Sequence, residues 1–306
     1  MPAAAAGPSA GAFEQNRKYL LGLAYRMLGS LAEAEDVVQE AWLRWQSAAH
    51  NEVASPRGFL RKIATRLCLD QLKSARARRE EYVGPWLPEP VAEGPGRGES
   101  EPMLDRDVTM GLMLALERLT PPQRAAFLLH DMFDVPFSEI AETLGQSEGA
   151  CRQHAARARR EVRGARRRFE VDFAAADRLT GAFLKAARDG DEGALKAILA
   201  EDVVIYSDGG GIRPAARNLI TGLDRAARFF LGLRRKLGDQ LPPIVYRGRI
   251  NASPGFITLE KDGLPQAFIV EAGGGKITAI YIVRNPEKLR LLPVAAAFDG
   301  SDRRTD

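Results

Sequence analysis

The segment 81–102, EYVGPWLPEPVAEGPGRGESEP, most narrowly limits how this chain can fold. It contains five prolines and four glycines, and neither a helix nor a central strand continues through such a composition. With its acidic residues, the segment cannot build a packed core. We therefore predict a linker here, with separately folded units before and after it. A length of 306 residues fits two or three such units.

The sequence on either side of the linker predicts three units. From about 13 to 79, and again from about 107 to 169, apolar residues recur at helical spacing. The pattern then changes to two helical stretches within 172–199, a helix at Thr221–Leu237, and short β-type runs. These runs begin at 203, 244, 255, 266 and 276. Helices followed by neighbouring strands predict an α+β unit with a curved, mostly antiparallel sheet.

The predicted fold class is therefore multidomain, with two all-α helical domains followed by an α+β domain. The expected boundaries are 11–80 for the first helical domain, 81–106 for the linker, 107–169 for the second helical domain, 170–293 for the α+β domain and 294–306 for a flexible tail.

Charge is separated along the chain rather than extreme in total. The net charge is only +4, a value that many enzymes with no nucleic-acid partner share. Residues 31–40 hold four acids and no base, whereas 57–79 hold eight bases and one acid, and 151–168 hold eight arginines and one acid. This pattern indicates one acidic partner surface and two basic surfaces able to lie on phosphates. Solvated helix faces would give the same pattern, so charge alone leaves both interpretations open.

The cysteines exclude a disulfide framework. Only Cys68 and Cys151 are present, each inside a helical pattern and without metal-ligand spacing. We expect no metal, no cofactor and a reducing, cytoplasmic location. The first residues lack the basic start and apolar run of a signal peptide, and no window approaches a membrane span. No membrane partner is expected.

The second helical domain contains a predicted helix-turn-helix. Thr120-Pro-Pro-Gln123 marks a helix start. The stretch PFSEIAETLGQSEGACRQHAARARREV then predicts a short helix, a turn at Gly145 and a second helix from about Ser147. The small apolar residues of that second helix form one stripe, which we expect to pack inward. They are Cys151, Ala155, Ala158 and Val162.

The outer face of this second helix carries groups suited to a DNA groove. Gln can hydrogen-bond an adenine edge and Arg a guanine edge, while further arginines neutralise phosphates. The predicted duplex-binding residues are Ser147, Gly149, Arg152, Gln153, Arg157 and Arg160. Arg-rich surface helices without a DNA partner are the alternative, and the turn with the small-residue stripe favours DNA.

The first helical domain combines an acidic helix face with a basic helix. Ser30 and Glu33 form a capping box, and Val38, Ala41, Trp42 and Trp45 predict one buried face. Asp36 and Glu40 lie opposite that face, with Gln39 nearer the edge, which suits a basic protein partner; simple solubility is the alternative. The next helix buries Phe59, Leu60, Ile63, Leu67 and Leu72. Its cations, Arg57, Arg61, Lys62, Arg66 and Lys73, form a surface typical of nucleic-acid backbone binding.

Four motifs in order resemble the second and fourth regions of extracytoplasmic-function sigma factors. They are DVVQEAWLRW, SPRGFLRKIATRLCLDQLK, LTPPQRAAFLL and SEIAETLGQSEGACRQHAARARR. The resemblance implies an RNA polymerase sigma factor that directs promoter recognition and transcription initiation. Its implied partners are promoter DNA and bacterial core RNA polymerase, through the β′ clamp helices and the β flap. The polymerase would supply all catalysis, so the chain itself is not expected to be an enzyme.

The resemblance also assigns residues. The residues expected to bind polymerase are Asp36, Gln39, Glu40 and Leu43. The residues expected to bind the minus-ten element of the promoter are Asn51, Arg57, Arg61, Lys62 and Arg66. A pocket for a flipped base is expected near the loop 50–56. Residues 146–160, with the duplex-binding side chains named above, would recognise the minus-thirty-five element.

Residues 172–292 resemble a SnoaL-like domain, one of the cone-shaped NTF2-like folds, whose fusion to sigma regions marks a particular group. Three motifs carry the resemblance: WLPEP at 86–90, SDGGG at 207–211 and NPEKL at 285–289. Ile212 stands where the group has Lys, and Arg213 is a candidate substitute; Glu287 replaces an Asp. The resemblance implies that this domain regulates the sigma regions through the linker. The regulatory residues would be Trp86, Leu87, Pro88, Asp208, Gly209, Gly210, Gly211, Asn285, Pro286, Lys288 and Leu289.

Two alternatives of other classes stay open. A ligand-sensing helix-turn-helix regulator acting without polymerase would leave the first helical domain without a purpose. A third domain with small-molecule enzymatic activity would need an acid–base pair, but all three histidines precede residue 170, and Asp208 and Tyr206 have no evident partner in the sequence. An unknown small ligand or protein at the third domain is a further possible partner.

Overall fold

The computed structural model describes residues 8–50, 53–80, 82–92, 108–166, 172–290 and 292. The chain forms two compact units. The first consists of residues 1–80 and 112–164, and the second of residues 81–111 and 165–306. The described part of the predicted linker, residues 82–92, therefore belongs to the same compact unit as the C-terminal domain.

The first half of the first unit is a three-helix arrangement of α1 (Pro8–Leu28), α2 (Leu31–Gln46) and α3 (Pro56–Glu80). Helix α2 begins as predicted, because Ser30 Oγ accepts a hydrogen bond from the Glu33 amide at 3.3 Å. The core side chains of this half are apolar and almost fully buried. They include Leu20, Tyr25, Val38, Trp45, Leu60 and Leu72.

The second half of that unit holds α5 (Pro121–Phe127), a π-helical turn (Leu128–Met132), α6 (Phe137–Leu144) and α7 (Glu148–Arg166). Before them comes α4 (Met110–Glu117), whose first two residues fall in the second unit. Gly145 has a φ of +64°, so the chain turns sharply between α6 and α7. The helix-turn-helix is confirmed.

Buried Arg124 joins the two halves of the first unit. Its side chain is 3% exposed and lies 2.8 Å from the Glu117 carboxylate. The same guanidinium donates to the Met27 carbonyl oxygen at 2.5 Å, at the end of α1. Since a buried cation needs such partners, this contact fixes α5 against the first three helices.

The second unit packs three helices with a six-stranded sheet. The helices are α8 (Phe173–Asp189), α9 (Glu192–Ile198) and α10 (Leu223–Leu237). The strands are β1 (Leu199–Asp208), β2 (Ile220–Thr221), β3 (Ile244–Ile250), β4 (Ser253–Leu259), β5 (Pro265–Gly273) and β6 (Lys276–Val283). Their order is β2-β1-β6-β5-β4-β3, and only the β1–β6 pair among them is parallel.

The α+β prediction for this unit is confirmed, including the five longer strands. Strand β2 was missed because two residues carry no periodicity that a sequence pattern can show. The core lies between the helices and the sheet, where Phe183 and Phe230 meet edge to face at 4.8 Å. Across the described residues, no helix combines the length and apolar character needed to cross a membrane.

Candidate polymerase, promoter and linker surfaces

The acidic face of α2, formed by Asp36, Gln39, Glu40 and Leu43, is accessible. Asp36 and Gln39 are exposed, and Leu43 is 52% exposed, which is unusual for leucine. Glu40 pairs with Arg44 one turn later at 2.9 Å, with both side chains about half exposed. Such exposed pairs contribute little, so this carboxylate stays available. An exposed apolar side chain with acids on the same helix face suits a basic protein partner.

The basic residues of α3 are occupied by α6. Arg61 pairs with Glu139 and Lys62 with Glu142. Arg66 donates from Nε to the Thr143 carbonyl oxygen at 3.2 Å and from a second nitrogen to the Glu142 carbonyl oxygen at 3.2 Å. These contacts make up the α3–α6 latch.

The latch has a clear electrostatic basis. The hydrogen bond from Lys62 lowers the pKa of Glu142, with a smaller contribution from Arg66. Arg66 also lies on the last carbonyls of α6, where the helix dipole favours a cation. Three of the predicted minus-ten residues are thus brought together, but on an acidic helix end. Glu139 and Glu142 could not be predicted as partners of these cations, because pairing between distant helices leaves no local sequence pattern.

The remaining minus-ten residues are separate from the latch. Arg57 is exposed and stacks over the Tyr19 ring, 4.1 Å from its centroid. Asn51 lies outside the described residues. At the start of the predicted base pocket, the His50 ring meets the Trp45 ring edge to face at 4.4 Å.

Helix α7 presents the face expected of a DNA-recognition helix. Its small-residue stripe is buried as predicted, with Cys151, Ala155 and Ala158 at 0% and Val162 at 2% exposure. The predicted duplex-binding residues are all exposed: Ser147, Gly149, Arg152, Gln153, Arg157 and Arg160. On its flank, Arg159 pairs with Asp131 at 2.7 Å and so fixes α7 to the preceding turn. The face can therefore enter a groove as one rigid element.

Within the second unit, Asp208 at the end of β1 binds the predicted linker. Its carboxylate is wholly buried. One oxygen accepts from the Tyr82 hydroxyl at 2.6 Å, and the other accepts from the Leu87 amide at 2.8 Å. Burial and this carboxylate raise the pKa of Tyr82, which keeps the hydroxyl a donor. No partner for Asp208 was evident in the sequence because Tyr82 and Leu87 lie 126 and 121 residues before it.

Lys288 and Asn285 complete the contact. Lys288 Nζ lies 2.7 Å from the Asp208 carboxylate, donates to the Leu87 carbonyl oxygen at 2.6 Å and sits 4.2 Å from the Trp86 ring centroid. Asn285 Nδ2 donates to the Tyr82 hydroxyl at 2.9 Å. Asp208, Asn285 and Lys288, together with the Tyr82 and Leu87 they hold, form the linker clamp. Tyr82 was missed by sequence analysis, although it stands just before the WLPEP motif.

The glycines of the SDGGG motif are required by this geometry. Gly210 has a φ of +66°, and a Cβ there would lie 2.4 Å from Asn285 Nδ2. At Gly209 a Cβ would lie 2.1 Å from the Arg213 carbonyl oxygen. The Arg213 side chain pairs with Asp262 at 2.8 Å. It therefore does not take the place of the lysine that the group has where this chain has Ile212.

A second anchor of the linker was not predicted. Asn251 Oδ1 accepts from the Val91 amide at 2.9 Å, and the Asn251 amide donates to the Val91 carbonyl oxygen at 2.9 Å. Asn251 has a φ of +47° in the turn between β3 and β4. Leu87, Val91 and Ala92 are at most 2% exposed. The described part of the linker is therefore a packed element of the second unit.

Glu271 on β5 holds the first turn of α4, the helix that follows the linker. It accepts from the Gly111 amide at 2.7 Å and from the Tyr281 hydroxyl at 2.9 Å. Burial raises the pKa of this carboxyl to about 7, against the effect of these donors. Within the described residues, no cluster of His, Cys, Asp and Glu could hold a metal ion.

Both helical parts of the first unit match known protein families. The family model for Sigma-70 region 2 matches residues 12–78, and that for Sigma-70, region 4 matches residues 109–162. The chain is 38% identical over 294 residues to the ECF RNA polymerase sigma factor SigJ of Mycobacterium tuberculosis, covering 92% of this chain and 93% of that protein. It is 31% identical over 295 residues to the probable ECF RNA polymerase sigma factor SigI of the same species, covering 96% and 98%.

The fold comparison extends over the same length. The crystal structure of Mycobacterium tuberculosis SigJ matches with a TM-score of 0.77 and 36% identity, covering 93% of this chain and 99% of that one. The similarity therefore extends over more than nine-tenths of the chain, well beyond the four motifs. The chain belongs to the extracytoplasmic-function family of RNA polymerase sigma factors.

Proposed function

We propose that the free chain is a closed form of this sigma factor, in which its own contacts occupy both the promoter-binding cations and the linker. The linker clamp is the observation that carries this proposal. Leu87 and Val91 are 0% and 1% exposed, so neither side chain is available to polymerase or DNA while the clamp holds. Opening the clamp is the step that the C-terminal unit controls.

In the open form, the acidic face of α2 docks on the β′ clamp helices of core RNA polymerase, and the second helical region contacts the β flap. The exposed Leu43 and the acids around it support this assignment. Helix α7 binds the minus-thirty-five element as duplex, with the exposed arginines on phosphates and base edges.

Minus-ten binding requires the α3–α6 latch to open. Arg61, Lys62 and Arg66 can contact either DNA phosphates or α6, but not both at once. The carboxylates of both ion pairs are largely exposed, and exposed ion pairs stabilise only weakly. Polymerase and promoter can therefore displace them. Initiation in this proposal is a binding activity in the cytoplasm, with the chemistry left to the polymerase.

The direct test is in vitro transcription with core polymerase and the full chain carrying Asp208→Ala. Loss of this carboxylate removes its two contacts with the linker, to Tyr82 and Leu87, and its ion pair with Lys288. We therefore expect more initiation than with the unaltered chain at equal concentration. Asp262→Ala is the matched control, because it removes an acid of the same unit that does not touch the linker. Equal transcription by both variants and the unaltered chain would refute control through the clamp.

A further inference from the structure

The second unit encloses a cavity of about 430 Å³ between α8, α10 and the sheet. Its floor is apolar and includes Phe183, Phe230, Phe256, Phe268 and Ile282. It reaches the surface at Lys236, which is exposed. Sites of this size and apolar character bind small molecules.

The wall of the cavity is strongly cationic. Four cations line it, Arg188, Arg234, Lys236 and Arg284, and Glu260 is the one acid among its described lining residues. Arg188 donates to the Pro242 carbonyl oxygen at 3.1 Å, and Arg234 donates to the Arg188 carbonyl oxygen at 2.6 Å. Arg234 also lies 3.8 Å from the Asp239 carboxylate. With Glu260 beside Arg284, two acids oppose these four cations, so the wall keeps a net positive charge.

Arg284 has a donor without an acceptor. One of its terminal nitrogens bonds the Pro214 carbonyl oxygen, and the other lies 3.5 Å from the Glu260 carboxylate. Its Nε is buried and has no hydrogen-bond partner in the described part of the chain. A second buried polar atom of the lining, Thr258 Oγ1, is likewise unsatisfied there. Burying such a group without a partner is unfavourable, and a ligand that accepts the hydrogen bond would remove that cost.

We propose that this cavity is a binding site for an anionic amphiphile, a small molecule with an apolar body and a carboxylate. The apolar body lies on the phenylalanine floor, and the carboxylate is held at the wall by Arg284 and its neighbouring cations. Histidine and cysteine are absent from the described lining residues, so the site binds its ligand without an evident acid–base pair for turnover.

The test is calorimetric titration of the full chain with decanoate and, separately, with decanol. We expect decanoate to bind one site and about tenfold more tightly than decanol, since a charge-assisted hydrogen bond contributes this much. Arg284→Leu should abolish the preference while decanol still binds. Arg228→Leu is the control, because Arg228 is an exposed cation of α10 that does not line the cavity.

A second variant keeps the proposal testable if Arg284→Leu does not fold. Ala187 lines the cavity from α8 and is only partly buried, so Ala187→Phe fills space with little change elsewhere. It should lose binding of both ligands while its thermal unfolding stays cooperative. Absence of decanoate binding, equal affinity for the two ligands, or an undiminished preference in Arg284→Leu would overturn the proposal.

Discussion

The carboxylate of Asp208 lies 2.7 Å from the ammonium group of Lys288, and each group also bonds the main chain of Leu87. Asp208 is fully buried and the Lys288 side chain is 12% exposed. Removal of one member of a buried pair leaves the other charge uncompensated, which costs about 3–5 kcal/mol. The pair therefore holds the linker as a unit.

Lys288→Met should release the linker. Chymotrypsin cleaves after Tyr82 and Trp86 only when these residues leave the clamp, so the rate of cleavage reports the open fraction. A loss of about 3 kcal/mol predicts cleavage roughly a hundredfold faster. Combining it with Asp208→Ala should add little, because either change already disables the pair. Unchanged or strictly additive cleavage rates would contradict the clamp.

The α3–α6 latch predicts tighter binding of single-stranded DNA when its acids are neutralised. Glu139→Gln with Glu142→Gln should raise affinity about two- to tenfold at low salt, as expected for two exposed pairs. Fluorescence anisotropy with a mixed-sequence oligonucleotide measures this. Asp189→Asn with Glu192→Gln removes the same charge from the second unit and is the control. An equal gain in the control would show a net-charge effect instead of a latch.

Helix α7 predicts a phosphate contribution from its exposed arginines. Arg157→Ala should weaken duplex binding and reduce the slope of log K against log salt by about one. Arg228→Ala, an exposed arginine of the second unit, should leave the slope unchanged. Anisotropy at several salt concentrations distinguishes them, and an unaltered slope for Arg157→Ala would remove this residue from the interface.

Glu271 makes the stability of the second unit depend on pH. Its folded-state pKa of about 7 lies above the ordinary 4.5, so its contribution is fully present below pH 4.5 and is lost as pH rises towards 7. The loss amounts to about 3 kcal/mol. Hydrogen exchange of β5 should show protection that falls as pH rises from 4.5 to about 7. Glu271→Gln should flatten this dependence after correction for intrinsic exchange, whereas Glu192→Gln should not.

The sequence predicts the helices, the buried stripe of α7 and the longer strands, because each shows a local periodicity of apolar residues. The exposed acids of α2 followed in the same way, as the face opposite Val38 and Trp45. The partners of Asp208 could not be predicted, since Tyr82 and Lys288 come from segments that only the fold brings together. The pairing of Arg61 with Glu139 is of the same kind: the charge pattern indicated Arg61, but neither Glu139 nor the contact between them.

Binding to core RNA polymerase through the acidic face of α2 is the central claim for this protein. The direct measurement is co-elution of the full chain with core RNA polymerase, comparing the unaltered chain with Asp36→Lys combined with Glu40→Lys. Both acids are accessible and neither is buried in the core, so the variant should fold and yet lose the association by at least about tenfold. Association as tight as that of the unaltered chain would contradict the account.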